Sequence, residues 1–471
     1  MAINYINDLP TKAALACCVI VATPALAGQE VTDLAFSNWP TGSAALGGAL
    51  HIRRNIYQPA DNVDDWPIDL VPLLLYNGKY VFSRGTAAGV HVLNKRSVEL
   101  NLLARVRFDS LDTGNSAFYE GVQARQQSID GGAEMLVRGH WGELKAAWLN
   151  DTLGRHNGHS AELSYRYMFD YGRLTFSPFV NWEWRDAELT DYYYGVSADE
   201  ARPGRPQYAP GSSQWFSLGL NTSYALTDRV MVFGNVGIAA IDPAVQKSPI
   251  VSASRAATLY VGGTYTFGNL LEPESNTSPE RASEWSWRVN YGYSGDGNVV
   301  GEIDQGDFKR DEFSDATLGG ITLGKLLVAG ERAEYSARFA VYRHFEASEG
   351  NGTFNSYALF LSALGKGYGA WSREEWFRWS IGFGLSFAEK VPIPEQLQQA
   401  AKGKKTARVL SYLDLQVDFP LRRLFKAKSV RNCYAGLSVV HRSGIFGSSD
   451  VLGDVAGGAD WITAHLECVR R

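Results

Sequence analysis

The sequence predicts an all-β protein: two antiparallel transmembrane β-barrels in series, of about twelve strands and then about eight. Three observations carry that expectation. Apolar and polar residues alternate with a period of two through most of the chain, as in strands with one oily face. The 471 residues include 23 Tyr, 22 Phe, 13 Trp and 48 Gly, at a mean hydropathy of −0.19. That composition suits an apolar outer wall, a polar lumen and aromatic girdles. The continuous apolar run Ala13 to Ala27 follows Lys12 and ends in Ala25-Leu26-Ala27. Residues 1–27 therefore read as a secretory signal peptide. The net charge of −5 gives no nucleic-acid footprint, and a hydrophobic content of 45% excludes general disorder.

The stretch from Ala256 to Glu284 divides the chain. Ala257, Leu259, Val261, Tyr265 and Phe267 alternate with Thr258, Tyr260, Thr264 and Thr266, which predicts a strand. Residues 268–283 follow as a polar linker with Glu272, Pro273, Glu274, Pro279 and Glu280. Alternation resumes at Trp285. The expected units are thus 28–267 and 284–471, joined by a periplasmic linker. One barrel of about twenty strands, with the linker as a turn, is the topological alternative.

In the first unit, Val98, Leu100, Leu102, Ala104, Val106 and Phe108 alternate with Glu99, Asn101, Arg105 and Arg107. The polar face fits a lumen. Gly131-Gly132 and Thr227-Asp228 read as short turns, and 197–211 and 242–254 as long polar loops. Tyr192 to Tyr194 read as an interfacial girdle. His156 and His159 could suggest a metal pair, but the spacing is short and no third ligand is in sight, so a solvated loop is the expectation there.

Several separated blocks of this unit resemble the MipA/OmpV family of outer-membrane proteins. They are Val71-Pro72 with Leu75-Tyr76, Arg84-Gly85, Gly121 with Arg125, Asp191 to Val196, Tyr208, Ser248 to Val251 and the ending Tyr265-Thr266-Phe267. The resemblance covers roughly residues 30–267. It implies a barrel in the outer membrane of a Gram-negative bacterium. It further implies a scaffold role towards murein-remodelling enzymes, and it brings no catalytic residues.

The second unit resolves into eight candidate strands, approximately 284–294, 314–327, 334–345, 354–363, 376–387, 408–419, 432–443 and 458–469. With a periplasmic linker, 295–313, 346–353, 388–407 and 444–457 are extracellular connections. Lys402 to Lys405 read as a solvated basic loop, and the basic periplasmic turn 421–432 as a solubility feature.

After removal of a leader, Cys433 and Cys468 are the remaining cysteines, and in an exported protein they predict a disulfide. If they face each other across the last hairpin, the register is fixed. His441 then faces Asp460, and Ser443 faces Gly458. A hydroxyl, an imidazole and a carboxylate would share the lipid-facing surface near its outer-leaflet end. A serine needs a base for its proton, and the base needs an acid to hold its tautomer.

Here the second unit resembles lipid A deacylase barrels of PagL type, which have eight strands and a His-x-Ser motif with a nearby acid. His441-Arg442-Ser443 matches the motif. The resemblance implies Ser443 as nucleophile, His441 as base, and Asp460 or Asp454 as acid, acting on lipopolysaccharide acyl esters. Gly444 stands where family members often carry Asn. The competing expectation is an interfacial hairpin that meets headgroups, in a structural, interaction or pore protein. No metal or organic cofactor is implied.

Overall fold

The computed structural model describes residues 42–59, 64–114, 116–267, 284–295, 310, 314–329, 333–347, 350–368, 374–401, 406–443 and 458–470. The expected signal peptide and linker lie outside these residues, as do Lys402 to Lys405, Gly444 and Asp454.

The first barrel is built from β1 (Ser43–Arg53), β2 (Ile68–Asn77), β3 (Val81–Arg84), β4 (Ala87–Lys95), β5 (Val98–Arg107), β6 (Ser128–Gly139), β7 (Gly142–Asp151), β8 (His159–Arg166), β9 (Phe169–Tyr171), β10 (Leu174–Arg185), β11 (Ser213–Ala225), β12 (Val230–Ala240) and β13 (Arg255–Thr266). All pairings are antiparallel. β13 pairs with β1, Tyr265 opposite Leu46, and β10 pairs with β11, Trp184 opposite Gln214. The ring therefore closes over twelve strands, with β9 as a short flap on β10.

The second barrel is β14 (Trp285–Ser294), β15 (Thr317–Ala329), β16 (Ala333–Glu346), β17 (Gly352–Tyr368), β18 (Glu375–Ala388), β19 (Val409–Pro420), β20 (Cys433–Ser443) and β21 (Gly458–Arg470). It closes separately through β14 and β21, Trp287 opposite Cys468. Two closures exclude the single large barrel. A closed ring is also what a bilayer requires, since it leaves no strand edge unpaired in hydrocarbon.

Alternation decides the faces as expected. Leu100 and Leu102 of β5 are exposed on the outer wall, while Glu99, Asn101, Arg105 and Arg107 are buried inside. Inward charges are paired: Arg107 Nε lies 2.6 Å from Asp130, Arg84 Nη1 lies 3.0 Å from Glu134, and Arg105 Nη1 lies 3.0 Å from Glu162.

Three local expectations need correction. Gly131 and Gly132 lie inside β6, not in a turn. A Cβ on Gly132 would stand 1.9 Å from the Trp148 carbonyl oxygen on β7, so glycine is required by strand approach rather than by chain reversal. Tyr192 to Tyr194 form no girdle. They belong to helix α1 (Ala187–Tyr194), begun by the Asp186 side chain accepting from the Leu189 N–H at 2.9 Å. Tyr193 and Tyr194 pack with Ile56, Leu111, Val196, Trp215, Val245 and Ile250 in an apolar core beyond the distal strand ends. The connections 197–211 and 242–254 thus supply core residues and cap the first barrel. His156 is not in a solvated loop either. It is buried, with Nε2 3.1 Å from Asp130.

The barrels touch. Tyr335 of β16 packs on Phe267 and Tyr76, with ring centroids 5.3 and 6.5 Å apart. Leu410 of β19 joins Val106 and Ile129 of the first barrel.

Candidate functional site on the outer wall of the second barrel

The structure joins Cys433 to Cys468 in a disulfide across the last hairpin. The β20–β21 register places His441 opposite Asp460 and Ser443 opposite Gly458, as the sequence predicts. Leu437 is 56% exposed while Arg442 is 2% exposed. Alternation then puts Cys433, Ala435, Leu437, Val439, His441 and Ser443 on the outer wall. Tyr434, Gly436, Ser438, Val440 and Arg442 point into the lumen.

His441 Nδ1 lies 2.5 Å from Asp460 Oδ1. Asp460 is buried, and the His441 side chain keeps 18% of its surface accessible. With a carboxylate on Nδ1, that nitrogen carries the proton and Nε2 keeps its lone pair. Ser443 sits two residues on, on the same face. Its Oγ is 3.5 Å from Ser411 Oγ, and the Ser411 hydroxyl donates to the Ser443 carbonyl at 2.5 Å. Among the described residues no hydrogen bond joins Ser443 to His441. The structure therefore assembles the acid–base pair and puts the hydroxyl on the same wall without the serine–histidine contact. Such contacts are often looser without substrate.

The lumen beside this wall is filled by charge. Arg288 Nη1 donates to Asp414 at 3.0 Å, Arg338 Nη2 to Glu467 at 3.1 Å, and Arg378 Nε to Asp418 at 2.8 Å. Gln416 Nε2 bridges to Glu467 at 3.0 Å. Above this network, a cavity with room for about one water lies among Tyr342, His344, Tyr412, Arg442 and Trp461.

Sequence reasoning missed the support behind the site. The connection 388–407, expected as a loop, contains helix α2 (Ile393–Ala401). Arg442 lies between His441 and Ser443 but points inward. It donates to Ser386 Oγ at 2.9 Å, to the Arg408 carbonyl at 3.0 Å and to Glu395 of α2 at 3.3 Å. Glu346 accepts from the Ile393 N–H at 3.0 Å. Burial pushes the Glu395 carboxyl up to about 7; the Arg442 charge opposes this and the Glu346 charge adds to it. The signal was present: Pro392-Ile393-Pro394-Glu395 is a helix start, followed by strong helix formers through Ala401.

Among the described residues one cluster has metal-ligand chemistry: Asp130, Asp151 and His156 bring one atom each within 4.8 Å of one another. Arg107 already neutralises Asp130, and His156 Nδ1 accepts from the Gly158 N–H at 3.1 Å. His159 turns away to Asp186, 2.9 Å distant. The two histidines are therefore not brought together as a metal pair.

Comparisons with known proteins address the first barrel. Residues 46–267 match the family model described as "MltA-interacting protein MipA". The MltA-interacting protein of Escherichia coli is 27% identical over 230 residues, which is 48% of this chain and 91% of the relative. An E. coli protein named "Putative outer membrane protein YiaT" is 26% identical over 201 residues, 42% of this chain and 81% of the relative. Among solved structures, an anion-selective porin from Comamonas acidovorans has 9% identity and a TM-score of 0.20, covering 91% of this chain and 98% of the porin. A bacterial polysaccharide outer membrane secretin has 9% identity and a TM-score of 0.22, covering 92% and 99%. The protein resides in the outer membrane of a Gram-negative bacterium. With twelve and eight strands in the two rings, each barrel begins and ends at one and the same end.

Proposed function

Because its first barrel is a MipA-family barrel, we propose an envelope protein that joins an interaction barrel to a lipid acyl-ester hydrolase. The observation that carries the second part is the 2.5 Å contact of His441 with Asp460 on the outer wall, with Ser443 two residues further towards the extracellular rim. A lumen packed with ion pairs has no space for a lipid; on the outer wall the His441 side chain keeps 18% of its surface accessible, while Ser443, 8% exposed, would have to be uncovered to reach an acyl ester.

The chemistry would run in two steps. Ser443 Oγ attacks an ester carbonyl carbon of an outer-leaflet lipid, and His441 Nε2 takes its proton. The imidazolium, held by Asp460, returns that proton to the departing alkoxide, leaving an acyl-serine. Water, deprotonated by the same nitrogen, then releases the fatty acid and restores Ser443. Lipid A, with its outer-leaflet acyl esters, is the substrate this reading favours. The test is mass spectrometry of lipid A from cells expressing wild type and Ser443→Ala. Loss of one acyl chain with wild type alone supports the reading. Identical lipid A, with both proteins in the outer membrane, refutes it.

A second reading concerns the first barrel. Its relative's name records an interaction with MltA, and a capped barrel suits a scaffold better than a pore. Here the partner would be a murein-remodelling enzyme reached from the periplasm. Co-purification of such an enzyme with residues 28–267 exchanged for an unrelated barrel would remove the support for this reading.

A further inference from the structure

The periplasmic connection between β19 and β20 is long and one-sided in charge. Residues 421–432 read Leu-Arg-Arg-Leu-Phe-Lys-Ala-Lys-Ser-Val-Arg-Asn, with five cations and no carboxylate. The segment is ordered by its own turns: Leu424 N and Phe425 N donate to the Leu421 carbonyl at 3.0 and 2.9 Å. Its far end is pinned by Val469 N to the Asn432 carbonyl at 3.0 Å and by the adjoining disulfide at Cys433.

Within this frame the cations divide. Arg422 and Arg423 are used locally, on Glu375 at 3.1 Å and Glu374 at 2.9 Å, and Arg423 lies over the Trp376 ring. Lys426, Lys428 and Arg431 are exposed and make no ion pair among the described residues. Between the two groups, Leu424 is 74% exposed and Phe425 56% exposed. These apolar side chains begin four residues beyond Pro420, where the outer wall ends in exposed Phe419 on β19 and exposed Trp376 and Phe377 on the neighbouring β18. The aromatic girdle of a barrel marks headgroup level. An exposed apolar pair among cations at that level has the composition of an interfacial anchor.

We propose that this turn is a docking surface for anionic phospholipid headgroups of the inner leaflet, with Leu424 and Phe425 set into the interface and Lys426, Lys428 and Arg431 on the phosphates. A solubility feature would need the cations alone. The apolar pair is what favours lipid over an acidic protein. The surface would fix the depth of the second barrel in the bilayer, and it stands independently of any hydrolase activity.

The test uses the full chain reconstituted in nanodiscs of mixed phosphatidylethanolamine and phosphatidylglycerol. Lipids retained after a detergent wash are counted by mass spectrometry. Wild type should retain phosphatidylglycerol preferentially. The Lys426→Gln/Lys428→Gln/Arg431→Gln variant should lose the preference, by about fivefold per charge removed if each acts as an independent surface cation. Lys390→Gln/Arg343→Gln, at the opposite end, should not. Folding of each variant is checked by migration of unheated samples in gels. A bimane label at Leu424→Cys should emit at shorter wavelength in the nanodisc than in water. Absence of phosphatidylglycerol preference in wild type, its retention in the triple variant, or water-like emission at position 424 each overturns the proposal. The last result would turn the patch to the periplasm, where an acidic protein could meet it.

Discussion

Asp460→Asn isolates what the acid does at the outer-wall site. The carboxylate is 2% exposed and reaches His441 Nδ1 at 2.5 Å. Asparagine keeps the size and can keep a hydrogen bond, so the hairpin should persist. What changes is the tautomer. An amide N–H donating to Nδ1 moves the imidazole proton to Nε2, the nitrogen that must accept from Ser443. In the serine–histidine–aspartate template that swap lowers kcat by about 10⁴, or ~5 kcal/mol of barrel-bound transition-state stabilisation. Asp460 does not contact the lipid in this scheme, so KM should stay within about threefold, as for a group acting only in the transition state. The assay is the rate of fatty-acid release from lipid A in mixed micelles by purified full chain. Asp454→Asn, the other acid that the sequence allows, serves as comparator and should leave the rate unchanged. A rate within about tenfold of wild type for Asp460→Asn, or a loss carried by KM, would refute the assignment of the acid. A loss confined to Asp454→Asn would transfer the role to that residue.

Three further outcomes follow from the second barrel. Glu395 is raised to about 7 from 4.5 by burial, so the folded state holds its proton more tightly than the unfolded one. Its contribution to α2 docking is complete at low pH and is lost as pH rises from about 4.5 to about 7. Hydrogen exchange of 393–401, corrected for intrinsic rate, should show protection falling across that window, and Glu395→Gln should flatten the profile. Glu467→Ala should destabilise the barrel by about 3–5 kcal/mol, because it strands Arg338 in the lumen; urea unfolding in detergent measures it. Non-reducing peptide mapping should recover Cys433 linked to Cys468, and Cys433→Ser with Cys468→Ser should cost about 3–4 kcal/mol by loop-closure entropy. Free thiols in exported protein would remove the anchor of the hairpin register.

Much of this architecture was legible because its rule has period two. A strand whose one face meets lipid and whose other meets a polar lumen cannot slip by one residue without burying charge in hydrocarbon. That is why Glu99, Asn101, Arg105 and Arg107 could be assigned to the lumen from sequence. The last hairpin was legible for a second reason: two cysteines supplied one fixed pair, and antiparallel pairing propagates it to His441 and Asp460. The illegible parts lack such periodicity. The cap of the first barrel is assembled from Ile56, Tyr194, Val245 and Ile250, which come from three different connections. Each connection reads as polar by itself, and the apolar residues converge only after closure. Arg442 was missed because an inward arginine on a strand reads as ordinary lumen lining. Its role depends on Glu395, 47 residues away, in a segment read as a loop.

The distribution of charge also limits where the second barrel can act. Arg288, Arg338 and Arg378 are each 3% exposed or less, and their partners Asp414, Glu467 and Asp418 are no more accessible. Admitting an acyl chain to this lumen would break pairs that cost several kcal/mol each to separate. Opening it for ions would meet the same barrier. The wall is different. His441 on the outer face of β20 retains accessible surface, and the Asp460 carboxylate lies 2.5 Å behind it. Glu395 and Arg442 hold the same strand from inside, so the rigid lumen is what lets an outward histidine keep its orientation at the rim. A barrel that served only as an inert membrane plug would need the three lumen pairs. It would have no need of a carboxylate buried against a histidine on its outer wall.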